Sequence, residues 1–375
     1  MAELEYKINP DVEEQLIKNP YNTICNWAEN RIHLTGGKVF QFLALQPISL
    51  ISPDINTNGY PTRTNFHFLL VGPPGSGKTS LMKQLRDITY NPFMFQDMTG
   101  ARVIEELFGR TDISLICGDV NTIFGDMDLI KILEGILEEK AVARYNMRRD
   151  RSFDTNAIFT GACLPQSLKQ NIKQGFLQRM VPFTFFHTKE EQIKIGEWMT
   201  RQMFNMDRNL ISFMDIKAYY KKIFDIQKEQ NDKFSKIDGY LVSDKAKMRL
   251  MQRWKQIFEL PFPEDSYLTR DIQSPYRYLS CSAMLNIFNR EIVKQDGQRL
   301  IVPNDLDLEL TEKLFSIEMK MKFHIMTLNN WVNNAHGKEV LRLYEMISND
   351  NKLGYEFKQI GKIFVEEKLN KKLKE

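Results

Sequence analysis

Gly72-Pro73-Pro74-Gly75-Ser76-Gly77-Lys78-Thr79 reads as the pattern G-x-x-x-x-G-K-[ST]. The apolar run Phe66-His67-Phe68-Leu69-Leu70-Val71 before it predicts a buried strand, and Ser80-Leu81-Met82-Lys83-Gln84-Leu85 after it opens a helical pattern. Strand, glycine loop and helix in that order make a phosphate-binding loop. Its glycines let the backbone turn sharply and aim successive N–H groups at phosphate oxygens. The helix N-terminus behind them adds partial positive charge. Lys78 has the reach for β- and γ-phosphates, and the Thr79 hydroxyl is a ligand for Mg²⁺. The expected nucleotide contacts are therefore Gly72, Pro73, Pro74, Gly75, Ser76, Gly77, Lys78, Thr79 and Ser80, with ATP and Mg²⁺ as cofactors.

The chain has 375 residues, 42% hydrophobic and 26% charged, which is ordinary globular composition and enough for two or three domains. No apolar run approaches the roughly 20 residues that span a bilayer. The opening Met1-Ala2-Glu3-Leu4-Glu5-Tyr6-Lys7 lacks the basic-then-apolar layout of a signal peptide. Cys25, Cys117, Cys163 and Cys281 lie far apart and read as reduced, mostly buried thiols. A cytoplasmic or nucleoid-associated protein is expected, neither secreted nor membrane-bound. The net charge of +3 is too small to argue for nucleic acid, so any such argument must be local.

Working outward, residues 1–47 look helical, with patterns over Asp11–Lys18 and Asn26–Ile32 broken at Asn19-Pro20. Pro53, Gly59 and Pro61 mark a loop leading into the first strand. From 66 to about 187, strand-like runs (Ile113–Cys117, Ala157–Thr160, Val181–Phe186) alternate with helices such as Asp126–Glu139, which argues for a parallel sheet. At Thr188-Lys189-Glu190-Glu191 a capping box opens a stretch that reads as helices to about 333. Within it, Met248, Met251, Trp254 and Phe258 share one helical face and read as core. Two further helical patterns follow, Val340–Ile347 and Phe357–Leu373.

A phosphate-binding fold needs an acid at the end of a neighbouring strand to hold metal and orient water. The run Ile113-Ser114-Leu115-Ile116-Cys117-Gly118-Asp119-Val120 supplies Asp119 alone, where two adjacent acids are usual. Asp126, Asp128 or Glu134 from the next helix are the candidates to fill the gap. Lys140 to Arg151 then carries Lys140, Arg144, Arg148, Arg149 and Arg151 against one acid, between two strand-like stretches. That predicts a β-hairpin with a cationic tip, suited to touching phosphates without reading bases, although a solvated charged turn has the same composition. Thr160 ends a strand where a polar group can sense the γ-phosphate. Arg179 precedes the last strand, where it can enter a neighbouring subunit's site; a surface ion pair is the alternative.

This order of parts resembles the AAA+ superfamily of P-loop ATPases from about 66 to 187, with a helical lid to about 333. Within it, the layout looks most like the minichromosome maintenance (MCM) helicases and their relatives on mobile elements and viruses. The helix at Leu129–Glu139 and the basic hairpin occupy the places of that family's helix and presensor hairpin. Leu177-Gln178-Arg179 matches its Leu-x-Arg arginine finger, and Ser274-Pro275-Tyr276-Arg277 offers Arg277 as a sensor 2 arginine on the nucleotide. Val302–Leu310 resembles the start of a lid helix. The chain departs from the pattern in its incomplete acid pair and in a sensor 1 strand without Asn, which leaves Thr160 or Cys163. It also has no MCM-sized N-terminal oligonucleotide-binding domain.

The resemblance implies an α/β AAA+ parallel-sheet sandwich with an all-α lid and a short C-terminal helical or partial winged-helix unit. The expected segments are 1–65 (helical segment and linker), 66–187 (nucleotide-binding core), 188–335 (lid) and 336–375 (C-terminal unit). Asp119, Thr160 and Arg179 are the expected catalytic residues, and Thr79 and Asp119 the metal ligands. Lys140, Arg144, Arg148, Arg149 and Arg151 are expected on DNA phosphates. The implied protein is a DNA-acting ATPase, helicase- or translocase-like in replication, assembled as a ring (a hexamer) or filament. A slow ATP-dependent switch on DNA and a protein-remodelling ATPase are the alternatives.

Overall fold

The computed structural model describes residues 7–31, 38–57, 60–96, 99–120, 123, 127–139, 141–144, 151–164, 179–185, 187, 189–204, 211–228, 236–258 and 273–332. The C-terminal patterns at 340–347 and 357–373 and the hairpin tip at 145–150 lie outside them.

The chain opens with helices α1 (Pro10–Lys18), α2 (Pro20–Arg31), α3 (Lys38–Leu43) and the single turn α4 (Gln46–Ser49). The Asn9 side chain caps α1, accepting from the Asp11 N–H at 3.0 Å. Helix α2 begins at Pro20, six residues before the sequence pattern suggests. Proline at the first helical position lacks only an N–H that would have no intrahelical partner. A short antiparallel pair follows, β1 (Ile55–Thr57) with β2 (Tyr60–Thr62).

The central sheet is built from β3 (His67–Val71), β4 (Pro92–Phe95), β5 (Ile113–Cys117), β8 (Ala157–Cys163) and β9 (Met180–Thr184). All its pairings are parallel, in the spatial order β4-β5-β8-β3-β9. Strand β9 carries Pro182 opposite Leu69 and is the edge, where a missing N–H is tolerated. Before β8, β6 (Ala141–Arg144) and β7 (Arg151–Asp154) form the expected antiparallel hairpin.

Both sheet faces are covered, as a parallel sheet requires. On one face α6 (Gly100–Leu107) and α7 (Met127–Glu139) pack Val103, Ile104, Leu133 and Ile136 against Leu69, Leu115 and Phe159. The other face receives α5 (Lys78–Ile88) through Leu81, Met82 and Leu85. The same core takes in the N-terminal helices, through Leu16, Trp27 and Phe42, and three later helices. These are α9 (Phe213–Lys228), α11 (Ser274–Leu285) and α12 (Asp305–Val332). Two more helices, α8 (Lys189–Met203) and α10 (Asp244–Phe258), complete the region.

That region is not wholly helical. β10 (Gly239–Tyr240), β11 (Ile292–Gln295) and β12 (Gln298–Ile301) form a small sheet. The β11–β12 turn is Asp296-Gly297, both at positive φ (50° and 79°), a two-residue Asp-Gly hairpin. Helix α10 also differs from expectation. Ser243 caps it, but Met248 and Met251 are 57% and 48% exposed, while Ala246 and Leu250 face the core. Core contact runs along the Ala246–Leu250 stripe and on to Trp254, which packs against the core as expected; beside it Arg249 makes a two-point pair with Glu312 of α12 (2.7 and 2.8 Å).

Helices α11 and α12 are locked by buried charge. Tyr278 Oη donates to Glu318 at 2.8 Å, and Glu318 pairs with Lys322 at 2.7 Å, both of these side chains being buried. Tyr278 also stacks edge-on against Phe42 (5.4 Å) and Phe66 (5.5 Å), which fastens α11 to the entry of β3.

His67, the first residue of β3, makes the core sensitive to acid. Its Nδ1 accepts the Phe159 N–H at 3.1 Å inside the sheet. Burial pushes its pKa from 6.5 down to about 3, helped by Arg277, Arg63 and Arg179 and opposed by a backbone contact at Leu137. The folded state holds this imidazole neutral, whereas the unfolded chain protonates it below about pH 6.5. Stability therefore falls as pH drops from about 6.5 towards 3, by about 2 kcal/mol between pH 7 and 5. Urea unfolding at the two pH values checks this: the midpoint falls, and His67→Gln shrinks the difference.

Candidate nucleotide site

The strand ends Val71, Cys117, Cys163 and Thr184 share one edge of the sheet, and the loop Gly72–Gly77 lies on that edge. Two kinds of glycine shape it. Gly75 and Gly77 have φ of 77° and 90°, a region that costs L side chains roughly 1–2 kcal/mol. Gly72 is required by crowding, because a Cβ there would lie 2.7 Å from both the Phe185 carbonyl oxygen and Ser76 Oγ. The Gly72 N–H donates to the Cys163 carbonyl at 3.2 Å, and the Phe185 N–H to the Val71 carbonyl at 2.7 Å. The loop is thus seated between β8 and the exit of β9.

Lys78, the first residue of α5, folds back over this loop. Its Nζ donates to the carbonyls of Gly72 (2.6 Å) and Pro73 (2.7 Å) and to Ser76 Oγ (3.3 Å). Burial lowers its pKa, while Cys163 and Asp119 oppose the shift. Pro73, Pro74, Gly75, Thr79 and Ser80 are exposed around it and Ser76 is buried. A positive-φ glycine loop, a helix N-terminus and a half-buried ammonium fit a phosphate chain.

Asp119 lies two residues past β5 and is exposed, within electrostatic reach of Lys78 and Cys163. Val120 turns the other way. It is fully buried, and a Cβ on Gly161 would lie 2.4 Å from its Cγ1, so the position that usually carries the second acid packs into the sheet. Glu134 does not fill the gap, because it pairs with Arg179 at 3.4 Å. Asp126 lies outside the described residues, and nothing describes the Asp128 side chain.

Thr160 is a correction. It pairs with Phe68, three residues short of the strand end, and shares hydrogen bonds with the buried Gln46 side chain (3.1 and 3.3 Å). The strand-end position belongs to Cys163, paired with Val71, its thiol pushed up to about 12 by burial, with Lys78 opposing and Asp119 adding. Thr160 faces the helical core and Cys163 the opposite face, since strand neighbours three apart point to opposite sides.

Arg277 is a second correction. It lies in the first turn of α11, beside Tyr278, which packs on Phe66, and one helical turn from Cys281, whose thiol lies 3.8 Å from the Thr64 carbonyl. That is the amino end of β3, the far end from the loop. Arg179 is there too, immediately before Met180, which pairs with His67. At roughly 3.3 Å per residue the five-residue strand separates the two ends by about 13 Å. Leu177 and Gln178, like Lys140, Arg148 and Arg149, lie outside the described residues, whereas Arg144 and Arg151 are Cα partners in the hairpin.

One site neighbour carried no motif. His187 Nε2 lies 3.1 Å from the Ser76 carbonyl. A carbonyl only accepts, so this nitrogen is the protonated donor. A cleft of about 720 Å³ lies at the amino end of the sheet, lined in part by Asp54, Asp112, Lys228 and Asp238, in which Asp112 and Lys228 pair with each other.

Residues 67–180 match the family model described as AAA domain (dynein-related subfamily). Over this segment the chain is similar to an AAA domain, the nucleotide-binding core of AAA+ ATPases. The match runs from the first residue of β3 to the first of β9 and takes in the loop, Asp119, the hairpin, Cys163 and Arg179. No curated protein matches the chain. Among the described residues no group of three or more His, Cys, Asp or Glu is arranged to hold a metal ion, and no helix is long and apolar enough to cross a membrane.

The two kinds of glycine in the AAA+ loop give different expected costs. Gly72→Ala drives a methyl into backbone and lowers stability by about 1–3 kcal/mol, with a matching loss of nucleotide affinity. Gly75→Ala meets open space and costs about 1 kcal/mol through φ alone. Thermal unfolding and titration with a fluorescent ATP analogue rank the two; equal effects would refute the crowding argument.

Proposed function

We propose that this chain is an ATPase that completes its site with a second copy of itself and acts on DNA. In this reading the loop holds ATP, Lys78 contacts the β- and γ-phosphates, and Thr79 and Asp119 hold Mg²⁺ with the phosphates. Cys163, not Thr160, faces the γ-phosphate position. Arg179 and Arg277 serve the neighbour's nucleotide. The observation that carries this is the separation of Arg179 from its own loop along the β3–β9 pair. An arginine at one end of a strand cannot reach phosphates at the other, but head-to-tail contact brings the two ends together.

The DNA part rests on the hairpin. Arg144 and Arg151 are register partners, so the hairpin sets two basic residues at one ladder position, an arrangement that like charges disfavour. β7 leads through Thr155 and Asn156 into β8, whose other end borders the loop, so a shift at the γ-phosphate has a covalent path to the basic tip. The resemblance to MCM helicases adds unwinding or translocation to this reading. The buried Val120 favours a slower variant, in which ATP sets a state on DNA and turnover is infrequent.

Replacing Arg148 and Arg149 with Glu weakens DNA binding at low salt and reduces the slope of log K against log salt by about 2. Unchanged binding would remove the hairpin from DNA and leave protein remodelling as the reading. A strand-displacement assay separates the two DNA readings: fast turnover with fork unwinding supports a helicase, and slow turnover without unwinding supports the switch.

A further inference from the structure

His187 lies just past β9, outside the 67–180 segment that matches the AAA domain. The sheet's own register carries it to the loop. The Phe185 N–H donates to the Val71 carbonyl at 2.7 Å, one step beyond the β3–β9 ladder, and so brings the outgoing backbone alongside Gly72–Gly77. The His187 ring then reaches Ser76, Nε2 donating to its carbonyl at 3.1 Å, while the His187 carbonyl accepts from Gln192 Nε2 at 3.3 Å.

The contact matters because of what shares a plane with that carbonyl. A trans peptide holds its C=O and the following N–H antiparallel. The Ser76 carbonyl points at His187, so the Gly77 N–H points away from the 185–187 segment. Gly77 is left-handed, at φ 90° and ψ −1°, the conformation that gathers successive N–H groups into an anion-binding nest. Its neighbours in that nest are the N–H groups of Lys78 and Thr79, which open α5 and have no intrahelical acceptor. Glycine does not choose this arrangement by itself. A flip of the Ser76–Gly77 peptide would carry φ of Gly77 from 90° to about −90°, and glycine takes either sign about equally well. The flipped peptide would set a carbonyl oxygen where a phosphate needs a donor.

We propose that His187 is a positioning residue of the nucleotide site, holding the Ser76–Gly77 peptide in the orientation that turns the Gly77 N–H to the phosphates. The inference rests on the reading of the loop as an ATP site. His187 acts through the loop and not on the phosphates themselves. The Ser76 side chain is held separately by Lys78, whose Nζ lies 3.3 Å from Ser76 Oγ. When an anion draws that ammonium away, the His187 bond keeps the peptide from turning.

The test is titration of the full chain with a fluorescent ATP analogue and its displacement by inorganic pyrophosphate, which has phosphates but no base or sugar. His187→Phe keeps a flat ring without an N–H. It is expected to weaken the analogue and pyrophosphate alike by about three- to tenfold, the worth of one hydrogen bond. His187→Gln restores an N–H donor at similar reach and is expected to recover both affinities to within about twofold of wild type. His187→Leu, smaller and also without a donor, is expected to repeat the first result and serves if phenylalanine does not fit. If the variants without a donor bind both ligands as wild type does, or the glutamine variant is as weak as they are, the positioning role is wrong and the ATP reading stands. Loss of the analogue with pyrophosphate unaffected overturns the role as well, by placing His187 at the base or sugar. If wild-type protein binds neither ligand, the ATP reading fails and takes the inference with it.

Discussion

The parallel pairing of β3 with β8 on one side and β9 on the other is the constraint on which the rest depends. Register fixes Val71 opposite both Cys163 and Thr184, and His67 opposite Met180. One end of this trio is then committed to the loop and its carboxylate. The other is committed to Arg179, Arg277 and the neutral His67. Nothing in the loop's own chemistry demands this separation. It follows from strands that all run one way, so that every β-to-α exit falls on one edge and every entry on the other.

The same packing explains the site's single strand-end acid. Gly161 lacks a side chain in the middle of β8, and Val120 fills that space from the exit of β5. A carboxylate at position 120 would have to be buried against Phe159 and Gly161 unpaired, which costs far more than burying valine gains. Core density and a second acid compete for one position, and core density has it. Asp119 is the acid left at this strand end, close enough to Lys78 and Cys163 to act on both.

Much of this was legible in the sequence, because glycine spacing and apolar runs are local signals. The loop, the strand at 113–117, the hairpin and, to within a residue, the helix read as 126–139 are direct readings, while the strand read as 157–160 runs on to 163. What was hidden is register and sidedness. Thr160 and Cys163 sit three apart in one strand, and only the pairing with β3 tells which reaches the edge. Arg277 was misplaced because a helix start carries no mark of which sheet end it packs on; Tyr278 against Phe66 decides it. In α10 two apolar stripes compete, and Ala246 and Leu250 are the ones buried beside Leu279 and Leu308, with Trp254 packing on the core one turn further on. The Asp296-Gly297 turn, with Ile292-Val293 and Leu300-Ile301 on either side, is a local hairpin signal set among helical patterns that mask it.

The loop touches two outgoing chain segments, and this makes it a junction as well as a pocket. Its Gly72 N–H is held by the carbonyl of Cys163, the last residue of the strand that begins at the basic hairpin. On its other side Phe185 closes against Gly72, and His187 donates to Ser76 before the chain enters α8. Lys78 at rest is satisfied by carbonyls of the loop itself, so an anion that draws its ammonium away frees the oxygens of Gly72 and Pro73 together. A backbone this crowded cannot absorb such a change locally. A Cβ has no space at Gly72, and the loop is hydrogen-bonded on both flanks, so displacement passes to β8 or to the 185–187 segment. Those routes lead along β8 towards the hairpin and through His187 towards α8.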